Sequence, residues 1–490
     1  MGKIAKVLQR IIAISVASIM FISMCPVAQA EENTILLDAK ETAKIALENN
    51  FDIQIYRLDK LIGEDELLSS RAVYDTELSG SYEYTQDRLA RTSTLAGSSI
   101  TTVDQDITLK KKLPTGTVLS LGASHAREYT DSAFATLNPY HESTASASVT
   151  QPLLKDFLGI QTRNTIKLAM LDKDNVAYTS TEKIEREIAQ AQKAYWRLVL
   201  AYHEFGLRDQ VLSSAKRLYE VTAKNFELGI VERAEFFAIE ANLKERQRDL
   251  VLAKNTLDAC VNDLGFRLNL PKDINIISKD EPEIIDCNFD FNKRLAAALA
   301  NRQDYKVAKN EVKSKNLTVA MRRDSLWPQI DLVASLEKNG IDSSFTRSVN
   351  EITSMGSPKY EIGVAVSFSL ENTQERAEFS QAKLKKVQAL LNLKKTECAL
   401  FIQVNDAVNY AEATKSAAKY QQEATKLQES KYKAEKDRFN KGRSDIDRLI
   451  RYQQDYLASE VAYLNSIYHY NEAMINLKVT TAELLNEVTL

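Results

Sequence analysis

The sequence predicts an α+β chain in which one unit, a short helix followed by strands and two long helices, occurs twice. An Ala-Leu-x-Asn motif lies at Ala46–Asn49 and again at Ala298–Asn301. A tyrosine followed by a Phe-x-x-Gly turn recurs with identical spacing, at Tyr219–Gly229 and at Tyr432–Gly442. Only 14 glycines and 8 prolines interrupt 490 residues, so the elements must be long. Such recurrence indicates two internal structural repeats.

The N-terminus has the pattern of an export signal. A basic segment precedes an apolar core at Ile11–Ile22, and Ala28-Gln29-Ala30 matches a signal-peptidase site. Residues 1–30 are therefore predicted to be a signal peptide. Cys25 leaves a lipoprotein as the alternative, although Met24 is bulkier than the small residue expected before a lipidated cysteine.

The charge balance argues against nucleic acid as a partner. Without the three basic residues of the signal, 61 of the 64 lysines and arginines remain against 67 acidic residues, a net charge of −6. So mild an acidic excess is not typical of nucleic-acid binding. No later stretch reaches the roughly eighteen apolar residues of a transmembrane helix.

No arrangement of side chains predicts catalysis, a cofactor or a bound metal. The sequence has no phosphate-binding glycine loop, no dinucleotide fingerprint and no nucleophile elbow. Its four histidines are scattered, without the spacing of a helical metal pair. The mature chain keeps Cys260, Cys287 and Cys398, with no C-x-x-C motif. Cys260 and Cys287 either pair in an oxidising compartment or remain separate buried thiols.

The first repeat is predicted at residues 31–270. It begins with a helix, and residues then alternate between apolar and polar within 76–151, as in β-strands. A long helical hairpin follows at 160–265. Two further alternating runs flank the turn signal Leu113-Pro114-Thr115-Gly116, so an extra hairpin is predicted at 103–128.

The second repeat has the same order without that extra hairpin. A linker at 271–288, rich in acidic residues and carrying prolines, leads into it. The repeat itself is predicted at 289–490, with strands within 329–370 and a long helical hairpin at 374–488.

The long helices carry the pattern of a coiled coil. Residues recur at spacings of three and four in both repeats: Ile184, Ile188, Ala191, Tyr195, Leu198, Tyr202 and Phe205, and Leu449, Tyr452, Tyr456, Ser459, Tyr463, Ser466, Tyr470 and Ala473. A 3.5-residue repeat is the seam of a left-handed coiled coil. A helix of about 65 residues would be on the order of 100 Å long.

The strands have one apolar and one polar face. This pattern fits a lipid-facing wall around a wet lumen, and it also fits half-buried strands of a soluble sheet. About four principal strands per chain cannot close, and an open edge in hydrocarbon would leave backbone groups unpaired. Closure would then come from other chains, and three protomers would give about twelve strands.

Several of these motifs together carry a family resemblance. The Ala-Leu-x-Asn motif, Leu326–Asp331 before a strand, Gln151-Pro152-Leu153 after one and the duplicated Phe-x-x-Gly turns resemble the TolC-like outer-membrane efflux protein family, or outer membrane factors. The resemblance extends over essentially all of the mature chain.

The resemblance implies a trimeric, twelve-stranded outer-membrane β-barrel continued by a long antiparallel α-helical coiled-coil barrel. Such a homotrimer lies in outer-membrane lipid, with its helical part in the periplasm. It is the exit duct of a tripartite efflux or type I secretion system, and it passively conducts cargo from a periplasmic adaptor (membrane fusion) protein and an inner-membrane pump. The resemblance maps the adaptor-binding tips to the two turns: Leu228, Gly229, Ile230, Lys441, Gly442 and Arg443.

The sequence departs from the family pattern at the candidate gate. The best-known members of the family have acidic residues six positions after each turn glycine and nine after the second, where this chain has Glu235, Arg448 and Arg451. Asp445 and Asp447 are the carboxylates nearest the second turn. The arginines would weaken a cation preference or pair with nearby acids to lock a closed tip, or they are simply solvated charges at a helix end.

The extra hairpin is the second departure. We expect it to be carried on an extracellular loop; the alternative is that its strands widen the barrel. The competing function is a soluble periplasmic coiled-coil adaptor or structural rod, which would leave the duplicated amphipathic strands without a role.

Overall fold

The structure, a computed structural model, describes residues 34–92, 97–271, 274–284, 289–354, 358–441 and 443–489. The expected signal peptide and the proposed partner of Cys260, Cys287, lie outside the described residues. The chain forms two compact units. The first takes its described residues from Met1–Asn50, Gln190–Asp286 and Thr414–Glu472, and the second from Phe51–Ala189, Cys287–Ala413 and Ala473–Leu490.

The two repeats share a common order, a short strand, two helices, sheet strands and two long helices, to which the first adds two strands and the second adds two short helices. The first contains β1 (Thr34–Leu37), α1 (Ala39–Asn49), α2 (Phe51–Arg71), β2 (Thr76–Asp87), β3 (Ile100–Lys112), β4 (Val118–Thr130), β5 (Tyr140–Pro152), α3 (Ile160–Glu227) and α4 (Arg233–Leu268). The second contains β6 (Asn275–Ser278), α5 (Phe291–Asn301), α6 (Gln303–Asp324), β7 (Gln329–Asp342), α7 (Phe345–Thr353), β8 (Lys359–Ser367), α8 (Thr373–Asn440), α9 (Ile446–Thr481) and α10 (Leu484–Thr489).

The long helices have equal lengths in the two repeats. Helices α3 and α8 each have 68 residues, and α4 and α9 each have 36. The duplication seen in short motifs is therefore a duplication of whole elements.

Each repeat has two helices rather than one before its sheet strands. Asn50 separates α1 from α2 with an extended backbone (φ −60°, ψ 131°), and Arg302 separates α5 from α6 in nearly the same way (φ −55°, ψ 125°). The Asn50 side chain donates to the Arg267 carbonyl at 2.8 Å. The predicted continuous helix at the start of the first repeat is therefore interrupted, because a polar side chain fixes the break by a tertiary hydrogen bond.

The core of the first unit surrounds a short parallel pair of strands, β1 and β6. β6 lies inside the segment predicted as a linker. Tyr195 is completely buried, and its hydroxyl donates to the Leu37 carbonyl at 3.0 Å and contacts Asp280 at 2.9 Å. Apolar residues of α1, α3 and α4 complete this core: Ala46, Ala191, Leu198, Cys260, Leu264 and Leu268.

The core of the second unit joins α5, α6, α8 and α9. Its buried members are Ala298, Tyr305, Leu400, Val404, Val408, Ala411, Ala473 and Leu477. The Tyr305 hydroxyl also donates to Glu397 at 3.0 Å. Small residues at several of these positions allow the helices to approach closely.

The second unit also contains a six-stranded antiparallel sheet in the order β2-β3-β4-β5-β7-β8. The expectation of about four strands, with the 103–128 hairpin on a loop, is wrong for this sheet. The hairpin supplies β3 and β4, which lie between β2 and β5 and pair with them over nearly their whole length. Alternation within a strand indicates its two faces, but it does not identify the neighbouring strands.

Helix α7 packs on one face of this sheet. The Ser348 hydroxyl lies 2.9 Å from that of Ser143, and the Phe345 ring meets the His125 ring edge-on at 4.7 Å. Gly340 makes this packing possible because a Cβ there would collide with the Ser348 carbonyl.

Candidate functional site

The first candidate site is the turn between α3 and α4. Gly229 has a left-handed backbone (φ +74°), and the Ile230 amide donates back to the Asn225 carbonyl at 2.9 Å. This is a glycine-terminated helix end, which lets the chain reverse within a few residues. Behind the turn, the Phe226 and Phe236 rings stack at 4.8 Å and hold the two helices together.

The apex of this turn exposes apolar side chains. Leu228 is 72 % and Ile230 is 70 % exposed. Two large aliphatic side chains side by side at a helical apex do not contribute to a core, and exposed apolar patches commonly mark contacts with another protein.

The second turn, between α8 and α9, is basic where the first is apolar. Lys441 and Arg443 are both exposed, and Gly442 lies outside the described residues. The Arg443 amide donates to the Arg438 carbonyl at 2.9 Å. Tyr432 and Tyr456 stack behind this turn with ring centroids 6.0 Å apart, as Phe226 and Phe236 do in the first repeat. Among the described residues, the two turns share no hydrogen bond or ion pair.

One pair of the candidate gate residues is in contact. Asp445 precedes the first residue of α9, and its carboxylate accepts the Arg448 amide at 2.7 Å. The Arg448 guanidinium lies 3.4 Å from the same carboxylate. Asp445 therefore acts as an N-terminal cap for α9, a role that favours an acidic residue at this position.

The other candidate gate residues are not brought together. Glu235, Asp447 and Arg451 are exposed, and within the described ranges none of them forms an ion pair. The proposed pairing of the arginines with Glu235 or Asp447 is absent from this part of the chain. Sequence reasoning missed Glu435, which is buried beside the turn and accepts a hydrogen bond from the Ser444 hydroxyl.

The second candidate site is the six-stranded sheet, whose faces differ sharply. One row of directly paired residues is apolar from edge to edge: Leu78, Leu109, Leu121, Ala147, Leu336 and Tyr360. The adjacent row on the opposite face contains no large apolar residue: Ser79, Thr108, Gly122, Ser146, Glu337 and Lys359. The large apolar residues are exposed, Leu78 by 70 % and Ile362 by 80 %.

Both outer strands of the sheet have one side without a ladder. Within the described part of the chain, β2 pairs only with β3, and β8 only with β7. Because the strands alternate in direction, β2 and β8 run antiparallel to each other. A second copy of the sheet can therefore continue the same alternation at either edge.

Within the described residues there is no cluster of histidine, cysteine, aspartate or glutamate that could hold a metal ion. No helix in the described part of the chain is both long and apolar enough to cross a membrane.

Comparison with known proteins connects these features to one family. Residues 295–483 match the model of the outer membrane efflux protein family. No curated protein sequence matches the chain.

Solved membrane proteins, two outer-membrane channels among them, have the same fold over nearly the whole chain. The CmeC outer membrane channel of Campylobacter jejuni aligns with a TM-score of 0.66 at 15 % identity, over 93 % of this chain and 90 % of its own. A membrane protein of Pseudomonas aeruginosa aligns with a TM-score of 0.70 at 14 % identity, over 93 % and 97 %. The MtrE outer membrane channel of Neisseria gonorrhoeae aligns with a TM-score of 0.66 at 15 % identity, over 94 % and 96 %. The resemblance of this chain to the TolC-like outer-membrane efflux protein family is thus confirmed, by the family model in its second half and by the fold along its length.

Proposed function

We propose that the chain is one protomer of an outer-membrane exit duct for efflux or type I secretion. The observation that carries this proposal is the sheet, in which an exposed apolar row and an adjacent polar row both cross all six strands. An apolar face suits lipid and a polar face suits a water-filled lumen. The family match and the shared fold support the same assignment. The protein would lie in the outer membrane, with its helical part in the periplasm.

The open edges of the sheet argue for a closed oligomer. In hydrocarbon, each unpaired backbone group of β2 and β8 would cost several kcal/mol. Pairing β8 of one protomer with β2 of the next removes both edges, and it preserves the antiparallel order. We assign three protomers because the family fold implies a homotrimer.

The two helical turns are the proposed docking points for a periplasmic adaptor. Leu228 and Ile230 would supply apolar contacts, and Lys441 and Arg443 charged ones, with Gly229 and Gly442 allowing the reversal of the chain. An inner-membrane pump would load cargo through that adaptor, and the duct itself would conduct passively. The adaptor contacts would then be unequal, apolar at one turn and basic at the other.

The gate is proposed to include Asp445 and Arg448, together with Glu235, Asp447 and Arg451. Asp445, which caps α9, neutralises part of the charge of Arg448. The charge of Arg451 is therefore less neutralised than that of Arg448. Three symmetry copies of such a charge at a narrow aperture would disfavour cations.

Complementation of a deletion strain tests this function. The wild-type gene should restore export of the pump's substrate, whereas Leu228→Asp combined with Ile230→Asp should reduce export by about tenfold or more, since apolar anchors dominate such contacts. Leu89→Asp is the control, because Leu89 is 75 % exposed in the loop after β2. Normal export by the double variant, at equal protein levels, would show that the turn between α3 and α4 is not needed for adaptor docking.

A further inference from the structure

The strands of the extra hairpin are as long as the neighbouring strands of the sheet, which is unusual for a loop. β3 and β4 have 13 residues each, as many as β5 and one fewer than β7. They separate β2 from β5, so among the described residues β2 is joined by hydrogen bonds to the rest of the sheet through them. Removing the hairpin from the sheet would open two complete ladders of backbone hydrogen bonds.

The faces of the hairpin continue those of the other strands. Leu109 and Leu121 fall in the apolar row, and Thr108 and Gly122 in the adjacent row on the opposite face. Further along the hairpin, Ile107 pairs with Ala123 on the apolar face, and Asp106 pairs with Ser124 on the polar face. A loop exposed to water would not need this division.

The turn of the hairpin is fixed at the end of the sheet where α3 begins. Gly116 and Gly159 both have positive φ angles, and they pack so closely that a Cβ on Gly159 would lie 2.9 Å from the Gly116 nitrogen. The Lys112 ammonium donates to the Thr162 hydroxyl at 2.7 Å, and Thr117 bonds to Gln151. The turn is thus built into the junction of sheet and helix.

We propose that the trimer closes an eighteen-stranded barrel, with six strands from each chain. This inference rests on the proposed trimeric duct and specifies its exit. At a strand spacing of about 4.8 Å and a tilt of about 40°, twelve strands close at a diameter of about 24 Å and eighteen at about 36 Å. The barrel is therefore half as wide again as four strands per chain would give, and the hairpin is the element that sets the width of the exit.

The sheet offers matched pairs of residues for a labelling test. Each of three strands has an alanine on the apolar face followed by a serine on the polar face: Ala123 and Ser124 in β4, Ala147 and Ser148 in β5, and Ala334 and Ser335 in β7. Single Cys substitutions at these six positions, in a full-length chain without its native cysteines, are exposed in intact cells to a membrane-impermeant maleimide.

Labelling should alternate in all three strands. Ser124→Cys should react at least about tenfold faster than Ala123→Cys, because a thiol in hydrocarbon neither ionises nor meets the reagent. The pairs in β5 and β7 should give the same contrast. Together with a trimeric mass for the purified protein, this result would place the hairpin in the barrel wall, as eighteen strands require.

Two other labelling results would each contradict a different proposal. If β5 and β7 alternate while both positions of β4 react equally, the hairpin is a loop and the eighteen-stranded barrel is wrong, although the duct stands. If β5 and β7 also fail to alternate, the outer-membrane barrel itself is wrong.

Discussion

At the residue scale, Glu185 is a carboxyl group held away from water. It lies buried on α3 and accepts the backbone amides of Leu484 at 3.0 Å and Leu485 at 3.4 Å. Burial raises its pKa from 4.5 to about 7, although the two amides and the nearby Arg302 oppose that shift. Since the folded chain holds this proton more tightly than the unfolded chain, stability contributed by the protonated form is present below about pH 4.5 and is lost as the pH rises through about 7.

Glu185→Gln should therefore stabilise the protein at high pH only. The amide keeps an acceptor for the backbone and removes the buried charge, so at pH 8 we expect the free energy of unfolding to rise by about 1–3 kcal/mol, with little change at pH 4.5. Thermal unfolding in detergent, followed by circular dichroism, measures the difference. Glu220→Gln, at an exposed position of the same helix, is the control. Equal effects at both pH values would contradict the assigned pKa.

At the scale of elements, the sequence predicted where the helices lie better than it predicted which elements pack together or pair. Gly229 forms the turn of the first long helical hairpin, between α3 and α4, as expected. Glycine scarcity and a 3.5-residue repeat are local signals, so the sequence alone reveals them. The break at Asn50 was missed, since its cause is a hydrogen bond to Arg267, far away in the chain. The place of β3 and β4 in the sheet was only the alternative to the expected loop, because strand pairing is a tertiary property.

The charge at the turn between α8 and α9 should influence the ion selectivity of the channel. Arg448→Asp places a carboxylate beside Asp445 and changes the charge of the proposed aperture by two units per chain, so the channel should become more cation-selective. Reversal potentials of single channels in a planar bilayer, under a salt gradient, measure this shift.

The control for that variant is Arg347→Asp, which makes the same charge change on α7, 69 % exposed beside the sheet. If Arg448→Asp leaves the reversal potential where the wild type and the control have it, the second turn does not line the conducting path.

At the scale of the whole molecule, the duplication was readable from short motifs and the assembly was not. The motifs at Ala46–Asn49 and Ala298–Asn301 indicated a duplication, and the equal helix lengths show that it includes whole elements. The strand β6 in the expected linker was missed, because its partner β1 begins at Thr34, at the other end of the repeat. The need to close an open sheet predicts an oligomer, and the number three comes from the family fold, because a single chain carries no residue pattern for that number.

Three copies of this chain are proposed to form one outer-membrane duct, and the mass of the assembled protein decides whether they do. Membranes are separated by density, the protein is extracted from them with detergent, and its mass is measured by native mass spectrometry. We expect the protein in the outer-membrane fraction, released only by detergent and with three times the mass of one mature chain. A monomer released from the periplasm by osmotic shock would contradict this proposal.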